Sequence, residues 1–107
     1  MIRALSDADF AAATAAGVVL VLFTARWCRV CVRAVPEVAA LAGTLGPRVV
    51  VMTADINAAP AAASAADVRG VPMLVLLRDG ARIGDRLGHY PAPALREWIE
   101  PILLGDG

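Results

Sequence analysis

The chain has 107 residues, the size of one domain, for which a radius of gyration of roughly 13 Å is expected. Its ten basic residues are all arginines and balance ten acidic ones, so bulk charge gives it no hold on nucleic acid or an anionic membrane. Hydrophobic residues make up 59%, inflated by alanine, yet Val, Leu and Ile suffice to bury one core, which excludes disorder.

The longest strongly apolar run, Val18 to Phe23, is far short of the roughly 20 residues that span a bilayer. A removed signal peptide is not expected either, because Asp7 and Asp9 occupy the place of a positive n-region and no convincing cleavage site precedes Arg26. From the N-terminus, Ile2 to Leu5 predicts a short edge strand. Ser6, with Asp9 three residues on, predicts a capped helix over about 7–16 that Gly17 ends. Val18–Thr24 is a continuous apolar run of the kind that forms a central strand covered on both faces. A helix follows from near Cys28 to about Leu45, with Cys31, Val35, Val38, Ala42 and Leu45 as its expected buried face and Pro36 as a source of a kink. Gly46-Pro47 should stop it.

Arg48–Ala54 predicts a second buried strand. Residues 58–67 predict an alanine-rich helix started at Asn57, with Pro60 in its first turn. Met73–Arg78 is a third such strand, Asp79-Gly80 a hairpin turn and Ala81–Leu87 its antiparallel return. A last helix from near Pro91 presents Leu95, Trp98, Ile99 and Ile102, with Pro101 expected to break it. The order βαβαβαββα places helices on both faces of a mixed sheet, parallel crossovers first and one antiparallel edge at the end. No repeat, linker or composition shift marks a second domain, so 1–107 is expected to be a single one.

Cys28 and Cys31 are the only cysteines and form a C-x-x-C. Zinc needs four ligands, and two thiols plus the distant His89 do not supply them. A structural disulfide is a weak reading because so short a loop removes little unfolded-state entropy. Redox chemistry remains the favoured reading, with a redox-dead relic as its rival. Cys28, after a strand and at the first turn of a helix, meets free N–H groups and the helix dipole, both of which favour a thiolate. Arg26, Arg29 and Arg33 add positive charge nearby. Cys31 lies one turn further in, on the buried face. The expected division of labour makes Cys28 the accessible nucleophile and Cys31 the thiol that resolves the mixed disulfide.

Phe23-Thr-Ala-Arg-Trp27-Cys28-Arg-Val-Cys31, Pro36, Asp55, Gly70-Val71-Pro72, Asp79-Gly80 and Gly88 occur in an order that resembles the thioredoxin family over nearly the whole chain. The resemblance implies the thioredoxin fold and protein-disulfide reduction. It also implies a docking surface of Trp27, Val71, Pro72 and Gly88. Each has a plainer reading: Trp27 as core, Pro72 as an ordinary strand-start proline, Gly88 as loop. A cis Val71-Pro72 bond would instead leave the Val71 N–H and C=O free to pair with an extended substrate. His89, the only histidine, is a surface loop residue or a substrate contact beside Gly88, or a pH-sensitive base there. Asp55 is expected to end a strand and cap the next turn. Arg69, Arg78, Arg82, Arg86 and Arg96 are expected on solvated faces.

Two departures from the family stand out. Arg29-Val30 replaces the Gly-Pro usual between the cysteines, a pair that tunes redox potential; Arg29 should favour the thiolate and make the disulfide somewhat more oxidising. Leu22 and Val51 stand where the family has a buried aspartate and lysine, which should stabilise the fold but remove the group thought to deprotonate Cys31. The expectation is a monomeric, cytoplasmic reductant that needs no metal or organic cofactor. Its partners would be a disulfide-bearing client protein and a flavin-dependent thioredoxin reductase or other dithiol donor. An oxidase or isomerase in an oxidising compartment, and a non-catalytic binding module, are the alternatives.

Overall fold

Side chains alternate across a strand, and the central strands place alternate apolar residues in two separate cores. The computed structural model describes residues 2–105; the ends of the expected 1–107 domain lie outside the described residues. The elements in order are β1 (Arg3–Leu5), α1 (Asp7–Thr14), β2 (Val18–Thr24), α2 (Arg29–Leu45), β3 (Val50–Asp55), α3 (Pro60–Ala65), β4 (Met73–Arg78), β5 (Ala81–Leu87) and α4 (Ala92–Gly105), with one 3-10 turn at Gly46–Arg48. The sheet runs β1-β3-β2-β4-β5. Val19, Val21 and Phe23 of β2 face a core shared with Met52, Ala54, Met73, Val75, Ala62 and Ala66. Leu20 and Leu22 face the opposite core, with Val51, Leu74, Leu76 and the inner residues of α2 and α4. This is the α/β arrangement with helices on both faces that the element order implied.

Several details differ from the sequence reading. The pairs β1–β3 and β2–β3 are parallel, but β4 is antiparallel to β2 as well as to β5. Antiparallel pairing therefore reaches the interior of the sheet rather than only its edge. The buried face of α2 is Cys31, Ala34, Val38, Leu41 and Leu45, not the set containing Val35 and Ala42. Val35 is 36% exposed. Cys31, Val38 and Leu45 are buried as expected, while Val35 and Ala42 give way to their neighbours Ala34 and Leu41, which keeps the helical period.

Third, β3 starts two residues later than expected, since Gly46–Arg48 forms the 3-10 turn, and Val50 is exposed. Finally, Pro101 lies inside α4 without ending it. The lost backbone hydrogen bond is offset by Ile102 and Leu103 beyond it, which pack on the α2/α4 core. α2 likewise runs through Pro36 to Leu45, the extent expected of it.

Local chemistry explains the helix starts. Asp9 accepts from the Ser6 N–H at 3.3 Å and from the Ser6 hydroxyl at 3.1 Å, closing the capping turn of α1. Asn57 does not cap α3. Asp7 does so from α1, its carboxylate accepting from the Ala61 and Ala62 N–H groups at 3.0 and 2.9 Å. Glu37 of α2 similarly accepts from the Ala92 N–H, the first of α4, at 2.7 Å. Asp55 ends β3 and accepts from the Asn57 N–H at 2.7 Å, as its position suggested.

Candidate functional site

The carboxyl end of β2 opens onto the cysteines. After Thr24 the chain turns tightly, with the Cys28 N–H donating to the Ala25 carbonyl at 3.1 Å. That turn delivers Cys28 to the cap position of α2, in extended backbone, one residue before the helix begins. Cys28 and Cys31 are joined by a disulfide, with their Cα atoms 5.3 Å apart. The Cys31 N–H also donates to the Cys28 sulfur at 3.1 Å. A helix start has free N–H groups, and here one of them is aimed at Sγ of the outer cysteine. Once the disulfide is reduced, the same N–H is placed to stabilise a thiolate there.

Burial separates the two sulfurs less than the sequence suggested. In the disulfide form Cys28 is 7% exposed and Cys31 3%, so the outer cysteine is shielded as well. Both pack with Ala25, Ile56 and Val71. The bond holds both sulfurs against the protein, and only a small part of Cys28 meets solvent. Trp27, by contrast, is 71% exposed and is no part of the core.

Trp27 forms one wall of a groove of about 240 Å³, completed by Ile56, Ala63, Ser64, Val68, Arg69, Gly70 and Val71. Trp27 and Val71 are thus brought together. Ile56 and the α3 side of the groove were not read from the sequence, because only the packing of α3 beside the Gly70–Pro72 segment makes them neighbours. The Val71-Pro72 peptide is cis and Pro72 is buried. Val71 precedes the β4–β5 ladder, which starts at the Met73–Leu87 pair, and its backbone N–H and C=O engage no backbone partner among the described residues.

Gly88 and His89 do not line this groove. Gly88 joins the site through its backbone, donating its N–H to the Pro72 carbonyl at 2.8 Å. Its φ of +107° is one that side-chain-bearing residues rarely adopt. His89 is exposed and makes no side-chain hydrogen bond among the described residues. Arg29 and Val30, between the cysteines, are both exposed on the first turn of α2.

Leu22 is 1% and Val51 9% exposed, both in the α2/α4 core with Ala34 and Val38, the two buried positions that follow Cys31. No carboxylate stands in for the missing one at these positions. Among the described residues, no group of three or more His, Cys, Asp or Glu is placed to hold a metal ion. No helix among them is long and apolar enough to cross a membrane. A larger groove, about 600 Å³, lies between α2 and α4, lined by Arg96, Glu97, Glu100, Thr44 and four apolar residues, with no cysteine or histidine among them.

Several of the other arginines are surface groups with partners. Arg69 and Arg82 both pair with Asp85, and Arg96 pairs with Glu100. Arg86 was expected to be merely solvated, but its guanidinium lies 4.6 Å from the centre of the Trp98 ring.

Known proteins are similar in sequence to this chain along most of its length. A family model described as Thioredoxin matches residues 1–101. The thioredoxin of Chlamydia trachomatis serovar D is 35% identical over 88 residues, which is 82% of this chain and 85% of that protein. That of Rhodospirillum rubrum is 36% identical over 78 residues, 73% and 75% of the two chains. That of Bacillus subtilis is 31% identical over 98 residues, 92% and 94% of the two.

Proposed function

This chain belongs to the thioredoxin family and is a thiol-disulfide oxidoreductase acting on protein disulfides; from that premise we propose that Cys28 is its nucleophile and Cys31 its resolving thiol. The observation that carries the assignment is the Cys31 N–H held 3.1 Å from the Cys28 sulfur at the start of α2. In the reduced protein, Cys28 thiolate attacks one sulfur of the client disulfide and expels the other as a thiolate. Cys31, deprotonated, then attacks the Cys28 sulfur, expels the second client thiolate and closes the Cys28–Cys31 bond. The client gains two electrons and two protons, and the two cysteines lose the same. A dithiol donor returns them, and a flavin-dependent thioredoxin reductase fits that role.

Trp27 and Val71 support docking because both line the groove, and Val71 also packs against the two cysteines. An extended client segment would pair with the free N–H and C=O of Val71, adding a strand. Pro72 and Gly88 shape the surface that meets the segment, the backbone bond between them fixing the turn, and His89, exposed beside Gly88, contacts the client outside the groove. Arg29 and Val30 tune the potential, Arg29 by favouring the thiolate. With Leu22 in the place of a buried carboxylate, the proton of Cys31 leaves through water or through Cys28 itself. The protein acts as a monomeric reductant in the cytoplasm, its 107 residues one domain.

The test is to reduce the protein, mix Cys31→Ser with candidate clients and recover the mixed disulfide. A stable adduct through Cys28, absent from Cys28→Ser, is the expected result. The midpoint potential should lie near or below the cytosolic glutathione poise of about −220 mV or lower. A value well above it points to an oxidase or isomerase instead. Retention of full biological effect in a Cys28→Ser/Cys31→Ser double variant would show a binding module.

A further inference from the structure

Among the described residues six of the ten arginines have a partner; Arg78, beside Val18 at the far end of the sheet, has none, and neither do the three nearest the nucleophile in sequence. Arg3, Arg48, Arg69, Arg82 and Arg96 form ion pairs, and Arg86 covers the Trp98 ring. Arg26, Arg29 and Arg33, at two residues before, one after and five after Cys28, are exposed and pair with no carboxylate among the described residues. Glu37, the one carboxylate on α2, is turned to the Ala92 N–H. Asp55, at the same end of the sheet, serves the Asn57 N–H.

Their placement also runs against helix stability. Arg29 is the first residue of α2 and Arg33 lies in its second turn, where the positive end of the helix dipole disfavours a cation, and the first turn carries no acid. A local rule broken with no compensating contact is a mark of use elsewhere. The exposed valines Val30, Val32 and Val35 alternate with these arginines on the outer face of α2, and Trp27 stands beside them. The rim is therefore cationic and apolar at once.

We propose that Arg26, Arg29 and Arg33 form a specificity collar that selects client proteins bearing carboxylates beside the disulfide to be reduced. This rests on the reductase reading of the same site and adds the chemistry of the client. The zero net charge of the chain leaves no long-range attraction to anionic clients, so the preference is local. Carboxylates next to the scissile bond approach Cys28 through the collar and gain in encounter rate.

The test uses two synthetic disulfide-bonded peptides of one sequence, the residues flanking the cysteines being Asp and Glu in one and Asn and Gln in the other. Second-order rates of reduction by the pre-reduced protein are each divided by the rate with dithiothreitol at about 1 M salt, where the charge of its attacking thiolate is screened, to remove differences between the peptide disulfides. At about 10 mM ionic strength, where the screening length is about 30 Å, the acidic peptide should be preferred by roughly five- to tenfold. At about 1 M salt, with screening within about 3 Å, the preference should vanish. The Arg26→Gln/Arg29→Gln/Arg33→Gln variant should lose it at low salt too. Reading each protein's own ratio cancels any change in thiolate reactivity. Equal rates at low salt, or a preference that survives the triple variant, would overturn the collar while leaving the reductase intact. Failure to reduce either peptide would overturn both readings.

Discussion

At Leu22 the chain has an apolar side chain, 1% exposed, in a core with Ala34, Val38 and Val51. A charge there has no water and no cation. Leu22→Asp should destabilise the protein by about 3 kcal/mol or more at neutral pH, measured by denaturant unfolding. Adding Val51→Lys should recover part of the loss, because the two positions share one core and the new charges can pair. A single variant as stable as the parent would place Leu22 outside this core. The two cysteines were readable from sequence because their spacing carries a chemical meaning of its own, and Trp27 through its place beside them in the family pattern. Leu22 and Val51 were readable only through their family positions. The shielding of Cys28 was not readable at all: it comes from Ile56 and Val71, brought beside the sulfurs from other elements.

Helix boundaries show a similar split between local and distant causes. α1 has its cap three residues away in sequence, and that cap was foreseen. The starts of α3 and α4 are satisfied by Asp7 and Glu37, carboxylates on other helices, so no pattern near Asn57 or Pro91 could reveal them. Asp7→Ala should cost about 1 kcal/mol, the usual value of a lost helix cap. Because α3 contributes Ala63 and Ser64 to the groove beside Trp27, the same variant should also slow client reduction. Unchanged stability would show that water replaces the carboxylate at no cost. The direction of β4 escaped prediction for a related reason: the connection from α3 permits either orientation until the strand finds its place beside β2.

The end of α2 is tied to α4 by a second kind of link. Arg48 donates to both oxygens of Glu100, at 2.8 and 2.9 Å. This hydrogen bond, more than the charge attraction, holds the Glu100 carboxyl below its ordinary range. A carboxylate whose pKa is lowered by folding stabilises the fold above its unfolded pKa. That contribution disappears as the pH falls through the folded value. Glu100→Gln should therefore lower the unfolding midpoint at pH 7, with the deficit shrinking as the pH drops below the usual glutamate range. High salt should narrow the deficit at pH 7 as well, since the pair is partly exposed. A deficit independent of pH would mean that packing, not charge, is what the substitution disturbs.

Across the whole molecule, burial and pairing single out one strand. β2 is bonded to β3 on one side and β4 on the other, and its residues Val19 through Phe23 are all buried. It separates the two cores, one under α1 and α3, the other under α2 and α4. Its carboxyl end leads directly into the turn carrying Cys28. β1 has three residues and pairs on one side only, while β5 is the opposite edge and almost wholly exposed. Free energies of local opening rise with burial and with the number of bonds that must break together. Amides of Leu20–Phe23 should accordingly exchange with deuterium only through global unfolding, and those at the edges through smaller openings. Opening the disulfide changes bonds at the tip of α2, beyond the strand. Reduction should thus alter exchange for residues about 25 to 31 and for the neighbouring Val71, while the rates within β2 remain those of the oxidised protein unless global stability itself shifts, in which case all four should shift together. Exchange in β2 that accelerated residue by residue on reduction, with no change in the unfolding midpoint, would mean that the redox bond holds the sheet together. The fixed strand would then no longer serve as the platform from which the cysteines act.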